Sequence, residues 1–145
     1  MGSLECKVAL VTGAGQGIGK AIAEALAREG ADIVANDLPR TSDADTDGLD
    51  ETVANVESAG KRAMQVRADV SDRDAVHSMF NRAVAEFGHV DIVVSNAAYN
   101  CRQPLIEADP KEMRAKWKRP LRALCRPLEG LTLCTTTPAF GARDW

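Results

Sequence analysis

The residues of this chain best placed to do chemistry are four glycines, Gly13, Gly15, Gly17 and Gly19, lying between an apolar run and an amphipathic one. A strand that ends in such a turn, with a helix starting inside it, aims unpaired backbone N–H groups and the positive end of the helix dipole at one point. A pyrophosphate suits that point. Glycine is required because a side chain would block the backbone's approach to the phosphate, or the helix's approach to the strand. An ordinary strand-to-helix turn is the competing reading, and the flanking strand and helix favour the binding one. Two other phosphate loops fail on register. A Walker A loop ending at Gly19-Lys20 needs glycine at 14 and Ser or Thr at 21, where Ala14 and Ala21 stand. The GxGxxG spacing fails because Gly13-x-Gly15 is followed by Ile18, and Gly15-x-Gly17 by Lys20.

The elements around the turn follow from hydrophobic period. Residues 7–12 read as a strand, and Ile18, Ile22, Ala25 and Leu26 as one face of a helix that stops at Gly30. Residues 31–37 form a second strand bounded by Pro39. Leu49, Val53 and Val56 share a helical face before Gly60, and residues 62–70 read as a third strand. Ser71 with Asp74 is a capping-box pattern, after which Val76, Met79, Phe80, Ala83, Val84 and Phe87 keep helical spacing to Gly88. Residues 90–95 are a fourth strand, ending in Asn96-Ala97-Ala98. Strands alternating with helices imply parallel βαβ units with right-handed crossovers.

Thr12-Gly13-x-x-x-Gly17-Ile18-Gly19, with Asp37 ending strand two, Asp69-Val70 ending strand three and Asn96-Ala97-Ala98 after strand four, resembles the short-chain dehydrogenase/reductase family over residues 5–109. The fold this implies is α/β: an incomplete Rossmann-like, doubly wound parallel sheet of about four strands and three to four helices. By the same resemblance Gly13, Gly17, Ile18 and Gly19, with Gln16 among them, line a cofactor pyrophosphate. Asp69 and Val70 contact the adenine, and Asn96 sits beside the adenosine ribose while bracing the sheet. Asp37 accepts from the ribose 2′-OH and repels a 2′-phosphate, so NAD is the expected cofactor. Arg40 nearby keeps NADP open. The bland alternative for Asp37 and Asp69 is a pair of solvated strand ends. Ala98 stands where the family usually has glycine, and Ser95 where it often has asparagine.

The family's catalytic group is not in this text. Carbonyl–alcohol hydride transfer there uses a Tyr with a Lys four residues on, sharing one helix face, together with a Ser and an Asn. The one tyrosine is Tyr99, and position 103 is Gln103; the last serine is Ser95 and the last asparagine Asn100. No catalytic residue is therefore assigned, and Tyr99 reads as a loop or pocket-wall aromatic. Enzyme and catalytically silent dinucleotide-binding remnant both stay open, with a partner-binding fragment as the third reading. The small-molecule substrate and the oligomer interfaces of the full-length family belong to segments not seen in this sequence.

Charge divides the chain of 145 residues into two parts. Residues 1–110, the dinucleotide-binding half, carry a net charge of −8, and residues 111–145 carry +5 and are interrupted by Pro120 and Pro127. A helix bearing Met113 and Trp117 is the one element expected there. The change of character implies that the family's reading frame ends between Lys111 and Pro120, leaving a divergent, poorly ordered tail. Strand four would then present an open edge, with marginal stability as the consequence.

Other signals are weaker. Overall net charge is −3, which gives no basic field for nucleic acid or an anionic membrane. The basic tail offers only Trp117 as a stacking platform. No apolar run reaches the length of a membrane span. Residues 1–7 show neither a signal-peptide pattern nor a myristoylation motif, so a cytoplasmic location is expected. Asp43-x-Asp45-x-Asp47-Gly48 imitates half of an EF-hand loop, but Ala54 stands where the bidentate Glu belongs, so no metal is expected. His77 and His89 read as surface or boundary residues that nothing pairs for metal or general-base work, and the four cysteines as reduced thiols.

Overall fold

Strand β1 (Val8–Thr12) is a run of five apolar or β-branched residues, and all five are buried. Burial on both faces is what the centre of a parallel sheet demands. The computed structural model describes residues 2–39 and 48–97 and the backbone of 132–135. After β1 come α1 (Gly17–Arg28), β2 (Asp32–Asp37), α2 (Gly48–Ser58), β3 (Ala63–Arg67), α3 (Arg73–Phe87), β4 (Ile92–Ser95) and β5 (Thr132–Thr135). The strands form one parallel sheet in the order β3-β2-β1-β4-β5. The chain winds outward from β1 to β3, then returns to the other side of β1 for β4. The carboxyl ends of β1 and β4 therefore flank a topological switch point, where open α/β sheets bind ligands.

Alternation along the strands divides the core into two layers. Leu10, Val34, Val66 and Val93 meet Val76, Met79, Phe80, Ala83 and Phe87 of α3 on one face. Ala9, Val11, Ile33, Ala35 and Val94 meet Ala23 and Ala27 of α1 and Leu49 and Val56 of α2 on the other. This is the doubly wound arrangement that the resemblance implies, built from the parallel βαβ units that the strand–helix rhythm predicts.

The structure departs from expectation in four places, each with a physical cause. The buried face of α1 is Gly19, Ala23 and Ala27, while Ile22 and Leu26 lie beside it and Ile18 is 68% exposed. A Cβ on residue 19 would run into the Gly13 carbonyl and the Asn96 amide. The helix thus rides close to the sheet on its smallest residues, and its large apolar side chains move to the flanks. The third strand ends at Arg67 rather than residue 70. Asp69 closes a turn there, its carbonyl accepting from the Asp72 amide at 3.0 Å and its Oδ1 from the Ser71 amide at 2.8 Å.

The cap of α3 is Asp72, not Ser71: its Oδ1 accepts from the amides of Asp74 at 2.9 Å and Ala75 at 3.4 Å. Finally, β4 has a neighbour. Residues 132–135 run parallel to it, with Ile92 opposite Thr132 and Ser95 opposite Thr135. Strand β5 is too short, between Pro127 and Pro138, for alternation to reveal it. The expected open edge of β4 is thereby corrected. Arg40, the aspartates of the EF-like triplet, Ala98, Tyr99 and the expected helix around Met113 and Trp117 lie outside the described residues.

Candidate functional site

Gly13 leaves β1 at φ +66° and Gly17 opens α1 at φ +55°, left-handed conformations that favour glycine. Between them the loop is anchored to the end of β2. The Ala14 amide donates to the Asn36 carbonyl at 2.8 Å, and the Gly15 amide to Asp37 Oδ2 at 2.8 Å. Asp37 Oδ1 accepts from the Leu38 amide at 2.8 Å, so the half-buried carboxylate is held over the loop by two backbone donors. A Cβ on residue 15 would stand 2.5 Å from Asp37 Oδ2, so a side chain there would have to displace the carboxylate.

Among the described residues nothing lies within 4 Å of where a Cβ on Gly17 would stand, and Ile18 beside it is exposed. Gln16 occupies the N-cap, but its side chain makes no capping bond, and the first turn holds no acidic residue. The first-turn amides therefore have no side-chain acceptor at the N-cap. Such a cradle, closed to side chains at Gly13, Gly15 and Gly19 and open at Gly17, fits an anion approached by backbone donors. A dinucleotide's pyrophosphate has that chemistry.

Asn96 ties the two strands that flank the switch point. Its Nδ2 donates to the carbonyls of Thr12 at 3.1 Å and Gly13 at 3.2 Å. The Thr12 hydroxyl accepts from the amides of Asn96 at 3.1 Å and Ala97 at 3.0 Å and donates to the Val94 carbonyl at 3.3 Å. The expected bracing of the sheet by Asn96 is thus seen directly. Asp69 stands exposed in the β3–α3 turn, whereas the Val70 side chain is 7% exposed and belongs to the core against α3. Little but its backbone is left to meet a ligand.

Three residues that the resemblance does not assign as cofactor contacts also build the site. Asn36, 1% exposed, donates from Nδ2 to the carbonyls of Val66 at 3.0 Å and Ala68 at 3.1 Å, while its own carbonyl holds the Ala14 amide. Asn36 and Asp37 thus join the glycine loop to the turn that carries Asp69. An asparagine ending the run Ile33-Val34-Ala35 is the signal that would have found it, since a polar side chain in a buried strand needs partners. Gly15 and Thr12 complete the set.

Charged side chains also pair away from the glycine loop. At the amino end of the sheet, Asp91 receives the Val8 amide at 2.8 Å, Lys7 Nζ at 2.9 Å and His89 Nε2 at 3.0 Å. Burial pushes the Asp91 carboxyl up, but the Val8 hydrogen bond, Lys7 and His89 together outweigh it and hold the group below its ordinary value. His89 is thus a surface residue, 52% exposed, that pairs with Asp91. Glu5 is lowered and Lys61 raised by their mutual hydrogen bond of 2.8 Å.

Comparison with known proteins agrees with this geometry. The chain is similar to cis-4-hydroxycyclohexanecarboxylate dehydrogenase of Sinomonas cyclohexanicum, 40% identical over 129 residues, covering 88% of this chain and 46% of that one. It is similar to versicolorin reductase of Emericella nidulans, 47% identical over 94 residues, covering 65% of this chain and 34% of that one. Among solved structures, a short chain dehydrogenase from Mycobacterium paratuberculosis bound to NAD superposes with a TM-score of 0.70 at 36% identity, covering 84% of this chain and 48% of that one. One from Burkholderia cenocepacia in complex with NADP gives 0.68 at 34%, covering 83% and 47%. The chain spans less than half the length of each of these four relatives. The sequence model of the short chain dehydrogenases matches residues 7–126, further along than the motifs reach. With two-stranded bracing at the switch point, a glycine cradle closed to side chains and this match, the chain belongs to the short chain dehydrogenase family.

Proposed function

We propose that this chain is the half of an NAD-dependent short-chain oxidoreductase that holds the adenosine and pyrophosphate of the cofactor. The carrying observation is the start of α1, without a side-chain cap and, among the described residues, open at Gly17, beside a carboxylate held over the loop by two amides. When bound, the cofactor supplies the hydride donor or acceptor for a small carbonyl or alcohol. The chain's own residues do the holding. Gly13, Gln16, Gly17, Ile18 and Gly19 receive the pyrophosphate on backbone donors and the helix dipole. Asp37 offers its remaining lone pairs to a ribose hydroxyl, and its charge opposes a 2′-phosphate, which favours NAD over NADP. Asp69 and the Val70 backbone face the adenine, and Asn96 stands by the ribose while fixing β1 to β4.

A second reading, binding without turnover, rests on a different observation: these residues contain no Tyr-x-x-x-Lys pair. We propose that the chain alone binds and does not reduce. Fluorescence titration with NADH and with NADPH, followed by a carbonyl-reduction assay on the purified chain, tests both statements. Saturable binding that is tighter for NADH, without turnover, is the expected result. Turnover by homogeneous material overturns the second statement, and absence of binding overturns the first.

A further inference from the structure

Helix α2 lies on the outer side of the glycine loop, and its first turn is fitted to it. The Thr52 hydroxyl lies 2.8 Å from the Ala14 carbonyl and 2.8 Å from the Gly48 carbonyl. Its side chain is fully buried. One hydroxyl proton therefore serves the loop and the helix start together. At the same turn, a Cβ on Gly48 would collide with the Gly15 carbonyl, and the Leu49 amide lies 3.5 Å from where a Cβ on Gly15 would stand. The loop residues touched from behind, Ala14 and Gly15, are those whose amides hold Asn36 and Asp37.

Thr52 also occupies a position that packing alone would give to an apolar residue. Leu49, Thr52 and Val56 are the buried residues of α2, and a hydroxyl in such a stripe lowers the free energy only if it is bonded. From these contacts we propose that Thr52 and Gly48 are positioning residues for the cofactor site: they hold the Ala14–Gly15 peptide so that the Gly15 amide stays on Asp37 and the mouth of α1 stays open. This rests on the function proposed above, since it assigns the loop's task to dinucleotide binding.

Thr52→Val removes the hydroxyl at nearly constant volume, and Thr52→Ser restores it. In the full chain, Thr52→Val is expected to weaken NADH by about fivefold, the net worth of one hydrogen bond. Thr52→Ser is expected to bind within about twofold of the parent on the same grounds. Amide exchange supplies a readout independent of ligand. Thr52→Val should speed exchange at Ala14 and Gly15 while leaving Ile33, bonded to Arg62 at the far end of β2, unchanged. Gly48→Ala keeps the hydroxyl but pushes a methyl at Gly15; it should show the same local exchange and takes over the test if Thr52→Val does not fold.

Unaltered exchange at Ala14 and Gly15 overturns the proposal. So does faster exchange at Ile33 and the loop alike with unaltered NADH affinity, which would mark Thr52 as a packing residue only. If the parent chain binds no NADH, the proposed function fails, and exchange alone then decides whether the brace exists.

Discussion

Helices α1 and α3 both begin at the carboxyl edge of the same parallel sheet, yet their first turns are finished in opposite ways. The start of α3 is satisfied from within: Asp72 accepts two amides, and Asp74 adds a negative charge to the first turn. The start of α1 has no side-chain cap, no acid in its first turn and, among the described residues, open space at Gly17. Both helix dipoles call for negative charge at that end. One helix carries its own anion, and the other, on the function proposed above, leaves the place for a bound one.

The sharpest way to break this difference is to close the cradle. Gly19→Ala puts a methyl against the Gly13 carbonyl and Asn96, which should cost about 1–3 kcal/mol of stability and abolish NADH binding. Chemical denaturation and fluorescence titration measure the two losses. Giving α1 its own cap comes next. Gln16→Asp should raise helix stability by about 0.5–1 kcal/mol while weakening NADH about tenfold, because the new carboxylate competes for the amides the pyrophosphate needs. A stability gain with unaltered affinity would place the phosphates somewhere other than α1.

The converse change sharpens the contrast. Asp72→Ala should cost about 1 kcal/mol and leave NADH affinity unaltered, since the cap it removes serves only α3. The smallest effect is expected at the far end of the sheet. Asp91 has a lowered carboxyl in the fold, so its contribution is present above the ordinary carboxylate range and disappears as pH falls through the lowered value. Asp91→Asn should therefore be less stable than the parent by under about 1 kcal/mol near neutrality, the gap closing as pH falls below about 4. Urea melts across that range report it.

How much of this was legible beforehand divides by the kind of information involved. The glycine spacing, the strand ends at Asp37 and Asn96 and the apolar period of α3 are local signals, and they place the switch point without any tertiary knowledge. The packing of α1 was not legible, because the clash between residue 19 and the Asn96 amide is a contact between segments far apart in sequence. Asn36 and Thr52 were missed for the related reason that their partners, Val66, Ala68 and Ala14, lie on other elements. The α3 cap moved by one residue because Asp72 and Ser71 are both good caps, and the turn at Asp69 takes the Ser71 amide. Strand β5 depends on pairing with β4, and a four-residue segment has too little pattern to announce it.

Titration calorimetry of the purified chain with ADP, and separately with adenosine, addresses the start of α1 most directly, since the two ligands differ only in the diphosphate. Saturable binding of ADP with adenosine far weaker is the predicted result. Equal binding of both, or no heat from ADP up to millimolar concentration, would contradict the assignment of that helix start to a pyrophosphate.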